Sequence, residues 1–169
     1  MPHRLFRLLT VVWVGSLLTI GYAVAPVLFT SLDRMTAGAV AAQLFRIEGV
    51  LGAVCGILLL GLANLLIRRG SDAYRRLRWP IAGMLVCVLV GYFALQPFMN
   101  AMRVAALEAG SDVGHSAYAT RFGILHGLSS LFYLIESLLG VALVWKLPAS
   151  VGIAAAEQGA RGAAGNAAG

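Results

Sequence analysis

Charge is scarce in this chain: 12% of its 169 residues are Asp, Glu, Lys or Arg, against 60% that are hydrophobic, and mean hydropathy is +0.85. A soluble domain of this size has no surface on which to leave so much apolar side chain. Cysteine is limited to Cys55 and Cys87, both inside apolar runs, where they act as small apolar residues and exclude a disulfide framework. A single histidine, His126, falls inside an apolar run, a poor supply of haem ligands. The sequence also lacks a nucleophile–base constellation, a phosphate-binding glycine loop and a paired metal-ligand motif, so nothing in it argues for an enzyme.

What the chain does contain is four apolar runs, 8–29, 47–67, 80–102 and 122–145. Crossing hydrocarbon takes about 20 apolar residues, and each run meets that length. The expected fold is an all-α integral membrane four-helix bundle occupying residues 1–148. From 149 to 169 the sequence turns to Ala and Gly without aromatics, the composition of a disordered tail.

The net charge of +6 is not a nucleic-acid footprint. Arg68, Arg69, Arg75, Arg76 and Arg78 crowd the connection between the second and third runs, the mark of a cytoplasmic loop. With four spans, that loop and both termini share one side and carry nine basic residues. The other side keeps four: Arg34, Arg46, Arg103 and Arg121. Both termini are therefore expected in the cytoplasm, with the protein in a bacterial inner membrane. Trp13, Trp79 and Trp145 fall near this side, where an aromatic belt is expected. Arg4, Arg7 and Ala23-Val24-Ala25 mimic a cleavable signal peptide, but Pro26 comes just after the would-be cut and the apolar run continues through Phe29.

The two halves share landmarks in the same order. Gly21-Tyr22 with Pro26 is matched by Gly91-Tyr92 with Pro97, and Phe45 with Glu48-Gly49 by Phe122 with His126-Gly127. This order implies two parallel-repeated helical hairpins related by an axis along the membrane normal, as in some transporters. In it, Glu48 and His126 hold equivalent places. Thr36 is the expected cap of the second helix and Ser116 of the fourth.

"YAVAPVLFTSLDRMTAG", the charged opening of the second span and "RFGILHG" resemble the transmembrane protein 205-like family of small four-helix membrane proteins, over residues 8 to 146. That family's molecular function is undefined, so the resemblance implies architecture and not activity. More distantly, the chain is similar to copper-resistance D-type membrane proteins and their haem-associated relatives, whose several intramembrane histidines are missing here.

Polar residues fall on inward faces. Tyr92, Gln96, Asn100 and Arg103 form one stripe on the third helix, and His126, Ser130, Tyr133 and Ser137 another on the fourth. With Glu48, the set Tyr92, Gln96, Asn100, Arg103, His126 and Ser130 outlines an externally facing polar pocket. Ionisable groups at membrane depth are costly and find partners, so Glu48 is expected to meet His126. Glu136 lies about 15 Å deeper than His126 at the helix rise, with Ser16 and Thr19 as candidate partners. Thioether and imidazole at Met99, Met102 and His126 would suit Cu(I).

The leading functional reading is a protein that binds or passes a small molecule or ion through this pocket. A copper- or haem-binding protein and a structural or assembly subunit without a ligand stay open as alternatives, with no cofactor as the first expectation. The partners are the lipid bilayer and, as an open reading, a second copy of the chain; nucleic acid is not one. The charge count makes a test. A cysteine introduced at Asp72 is expected to resist impermeant thiol reagents in intact cells while one at Ser111 labels, and the reverse pattern would overturn the orientation.

Overall fold

The computed structural model describes residues 2–148, and both Met1 and the Ala/Gly-rich tail lie outside them. Four helices succeed one another: α1 Pro2–Ser31, α2 Arg34–Arg68, α3 Asp72–Glu108 and α4 Ala119–Trp145, each long and apolar enough to cross a membrane. The protein is an all-α four-helix bundle and a multi-pass membrane protein. The helices outrun the apolar windows because their polar ends continue past hydrocarbon depth.

The connections explain where helices stop. The Asp33 carboxylate accepts hydrogen bonds from the Met35 and Thr36 amides at 3.1 and 3.0 Å and caps α2. The cap is thus three residues earlier than expected at Thr36. Bonds from the Thr36 side chain and amide, with that of Met35, hold the Asp33 carboxyl below its usual range. Gly70 and Gly110, with φ of +86° and +72°, end α2 and α3 in the left-handed region that favours glycine. Ser116 accepts from the Tyr118 amide in the turn before α4.

Packing runs in a ring, α1 on α2, α2 on α3, α3 on α4 and α4 on α1. Short connections force this order, so α2 and α4 stand diagonally. The tightly packed core fills only one end, the end carrying the arginine-rich loop. Phe6, Trp13 and Leu17 of α1 meet Leu59 and Leu66 of α2, Ile81 and Met84 of α3 and Leu143 of α4. Tyr74 closes that end, with its hydroxyl 2.9 Å from His3 Nδ1 and its ring edge-on to Phe6.

Hydrocarbon offers helices no hydrophobic reason to associate, so close fit and small residues must hold them. Gly49, Gly52 and Gly56 supply that fit on α2. A Cβ at Gly52 would come within 2.7 Å of the Trp13 indole nitrogen, and one at Gly49 within 2.6 Å of the Tyr92 ring. Trp13 is therefore wholly buried and no part of an aromatic belt, whereas Trp79 and Trp145 are exposed.

Two helices depart from α geometry. Residues Ile20–Val24 of α1 and Leu89–Leu95 of α3 form π-helical turns, each containing the Gly-Tyr pair and each succeeded by a proline in the first turn of the resumed α-helix. Proline cannot donate an amide hydrogen there, and the wider turn precedes it.

The glycine contacts make a paired prediction. Gly49→Val should lower stability in detergent by about 1–3 kcal/mol through overpacking against Tyr92. Gly61→Ala, where a Cβ meets nothing within 4 Å, should raise it by up to about 1 kcal/mol through helix propensity. Thermal unfolding monitored by helical circular dichroism distinguishes the two signs.

Candidate ligand cavity

Beyond Trp13 and Val88 the packed core gives way to a cavity of about 470 Å³ to which all four helices contribute. The π turns flank it: Gly21 and Tyr22 line it from α1, Gly91 and Tyr92 from α3. The diagonal pair supplies the acids, Glu48 from α2 and Glu136 from α4. Periodicity puts both there. Glu48 shares the buried stripe of α2 with Gly52, Cys55 and Leu59, and Glu136 that of α4 with Gly140 and Leu143.

Glu48 and Glu136 are 4% and 5% exposed. Oε1 of Glu48 accepts a 3.2 Å bond from the Ser16 hydroxyl, which also lies 2.9 Å from the Trp13 carbonyl. A serine has one hydrogen to donate, so Glu48 competes with the backbone for it. Oε2 of Glu48 has no hydrogen-bond partner in the described protein, and the Trp13 indole N–H, beside Glu136, closes no hydrogen bond either. A buried polar atom left unpaired costs about 1–3 kcal/mol. Among the described residues no Arg, Lys or His forms an ion pair with either carboxylate, and the one such pair is His115 with Asp112, at 3.5 Å in the connection before α4.

Tyr133 braces the wall. Its hydroxyl donates to the Leu17 carbonyl at 2.5 Å, its ring occupies the space above Gly21, and it meets Phe45 edge-on at 5.3 Å. One side chain thus ties α4 to α1 and α2.

The sequence-based pocket divides. Glu48, Tyr92, Gln96, His126 and Ser130 line the cavity, joined by Glu136, Tyr133 and Met99. Asn100 and Arg103 do not. Arg103 donates to the Gly38 carbonyl at 3.0 Å and to Asn100 Oδ1 at 2.9 Å. Both residues line a neighbouring groove of about 550 Å³ with Arg46 and Gln43, which shares Tyr92 and Gln96 with the cavity. The stripe itself is unbroken: Tyr92 and Gln96 line both spaces, and Asn100 and Arg103, in the regular α-helix that resumes at Gln96, continue it into the groove.

Glu48 and His126 form neither an ion pair nor a hydrogen bond. Their helices are diagonal, and the exposed His126 ring stacks on Phe122 of its own helix, 5.9 Å away. Ser16, expected beside Glu136, serves Glu48 instead. Met102 is not among the lining residues, and no group of three His, Cys, Asp or Glu side chains gathers for a metal among the described residues. Ser16 and Trp13 complete the surroundings of Glu48. The signal for Trp13 is the Gly49, Gly52, Gly56 spacing, which requires a large partner.

Residues 8–108 match the model of a family described as a domain of unknown function, DUF4149. No curated protein and no solved structure matches the chain.

Access to the cavity is measurable through its cysteines. Cys87 lines it and Cys55 does not, although both are buried and free. Methyl methanethiosulfonate should modify Cys87 faster than Cys55 in the folded protein, as read by intact mass after Cys→Ser substitution of each in turn. Equal rates would contradict the cavity's accessibility.

Proposed function

The chain belongs to the DUF4149 family, whose name assigns no activity, and from the cavity itself we propose that the protein binds a small molecule or ion between its helices. The observation that carries this reading is the unpartnered, buried Glu48 oxygen on a residue lining a cavity between the four helices. Small-molecule sites are mostly apolar clefts of about 300–1,000 Å³ with a few placed polar groups, and this cavity falls in that class. The arginine distribution orients the cavity toward the outer face of a bacterial inner membrane. In the same reading the chain is built from two repeated hairpins, supported by a π turn beside the Gly-Tyr pair in each, and is kin to the transmembrane protein 205-like proteins. Passage of the ligand across the membrane is the extended form of this reading.

A copper-binding alternative draws on Cys87, Met99 and His126, soft or borderline donors along the same cavity.

Native mass spectrometry of protein released from membranes tests both. The wild type should carry a small molecule that is lost in Cys87→Met and Gly91→Phe, two changes that add volume at lining residues; a Cβ at Gly91 meets nothing within 4 Å. A copper adduct instead would favour the alternative. A wild type with neither counts against ligand binding and for a structural subunit.

A further inference from the structure

We infer that the cavity takes a monovalent organic cation with an apolar body, such as an arylammonium, entering sideways from the lipid between α1 and α4. This rests on the ligand-binding reading above and narrows it to one chemical class.

Charge comes first. Among the described residues two acids, Glu48 and Glu136, line the cavity, and no Arg or Lys does. Arg46 and Arg103 belong to the neighbouring groove, where Arg103 is bonded to Gly38 and Asn100. His126 is the one basic group among the lining residues, and it is exposed and stacked on Phe122. An anion would meet two carboxylates and nothing basic in the interior. A neutral apolar molecule would bring the buried Glu48 carboxylate neither a donor nor an opposite charge, and sites with buried polar groups reject ligands that leave them uncompensated.

The walls decide between kinds of cation. Tyr22, Phe29, Phe45, Tyr92, Phe132 and Tyr133 all line the space. Ring faces attract ammonium groups, and quaternary ammonium ions are commonly held in aromatic cages. A hard metal ion asks for six or more oxygen ligands, and a cavity so rich in rings does not offer them. An organic cation uses both features at once, its charge beside the carboxylates and its body on the rings.

The depth of the cavity fits an elongated ligand. His126 and Glu136 are ten residues apart on one helix, about 15 Å by the helix rise. Side chains of a helix lean toward its N-terminus, so Glu136 leans toward the cavity from below.

The opening is lateral. Ala25–Ser31 of α1 packs on α2 without a comparable contact to α4. Along that seam Tyr22 and Phe29 on one side and His126, Ser130 and Leu134 on the other line the cavity while remaining exposed. An amphiphilic cation concentrates at the membrane interface beside such an opening.

The test compares benzyltrimethylammonium with its neutral carbon isostere, neopentylbenzene, binding to the full chain in lipid nanodiscs. The wild type should bind the cation at least about tenfold more tightly than the isostere. Glu48→Gln and Glu136→Gln should each abolish most of that preference without weakening isostere binding, and Glu48→Asp should retain part of it. A wild-type cation affinity no greater than that of the isostere overturns the inference, as does an intact preference in both Gln variants. The wild-type comparison decides even where a variant fails to fold. If the charge preference is absent while Cys87→Met and Gly91→Phe still lose their bound molecule, the ligand-binding reading stands alone. If those variants retain it, both fall.

Discussion

The indole of Trp13 fits against α2 because residues 52 and 56 have no side chains to fill that space. This contact sets how closely α1 approaches α2, in a solvent where helices gain nothing by hiding apolar surface from one another. Removing a buried tryptophan side chain typically costs about 3–5 kcal/mol, more than any single hydrogen bond in the bundle supplies. Trp13 also divides the molecule. On one side lies the close-packed cluster of Phe6, Leu59, Ile81, Met84 and Leu143. On the other, its carbonyl competes with Glu48 for the Ser16 hydroxyl and its N–H lies beside Glu136. Core and cavity meet at this one side chain.

That division explains which features were legible in the sequence. Helix number and the all-α class come from apolar length alone. The inward position of Glu48 comes from the 3.6 period, because the glycines that mark the stripe of α2 are one and four residues away from it. The pairing of Glu48 with His126 failed on topology. Short connections make sequential helices neighbours, which leaves α2 and α4 diagonal, so equivalent residues in the two halves need not touch. On the diagonal helix the stripe is buried only deep in the bundle, from Glu136 and Ser137 on, and is exposed at the level of His126. The stripe of Tyr92, Gln96, Asn100 and Arg103 was legible as one face, but a face alone does not show that two spaces meet along it, the cavity at Tyr92 and Gln96 and the groove at all four. Proline after Gly-Tyr was visible in both α1 and α3, but a proline alone does not say whether a helix kinks, ends or widens.

The two kinds of irregularity alternate around the bundle axis. α1 and α3 carry the π turns, α2 and α4 the buried acids. A π turn is uncommon and spoils regular packing, so at its level neighbouring helices cannot close as they do around Trp13. In lipid, backbone groups disturbed by such a turn must find partners within the protein, and Tyr133 gives its hydroxyl to the Leu17 carbonyl just before the π turn of α1. A regular α1 and α3 would allow the bundle to close over Glu48 and Glu136 with apolar side chains, at the cost of two stranded carboxyls. The widened turns keep space beside both. The aromatic rings around that space, Phe45 and Tyr133 in edge-on contact and Tyr22 next to them, keep it from being a simple aqueous cleft. Acid, ring and gap therefore occur at one level of the bundle: the π turns flank the cavity, Tyr133 secures the backbone before one of them, and the two buried acids line the same space.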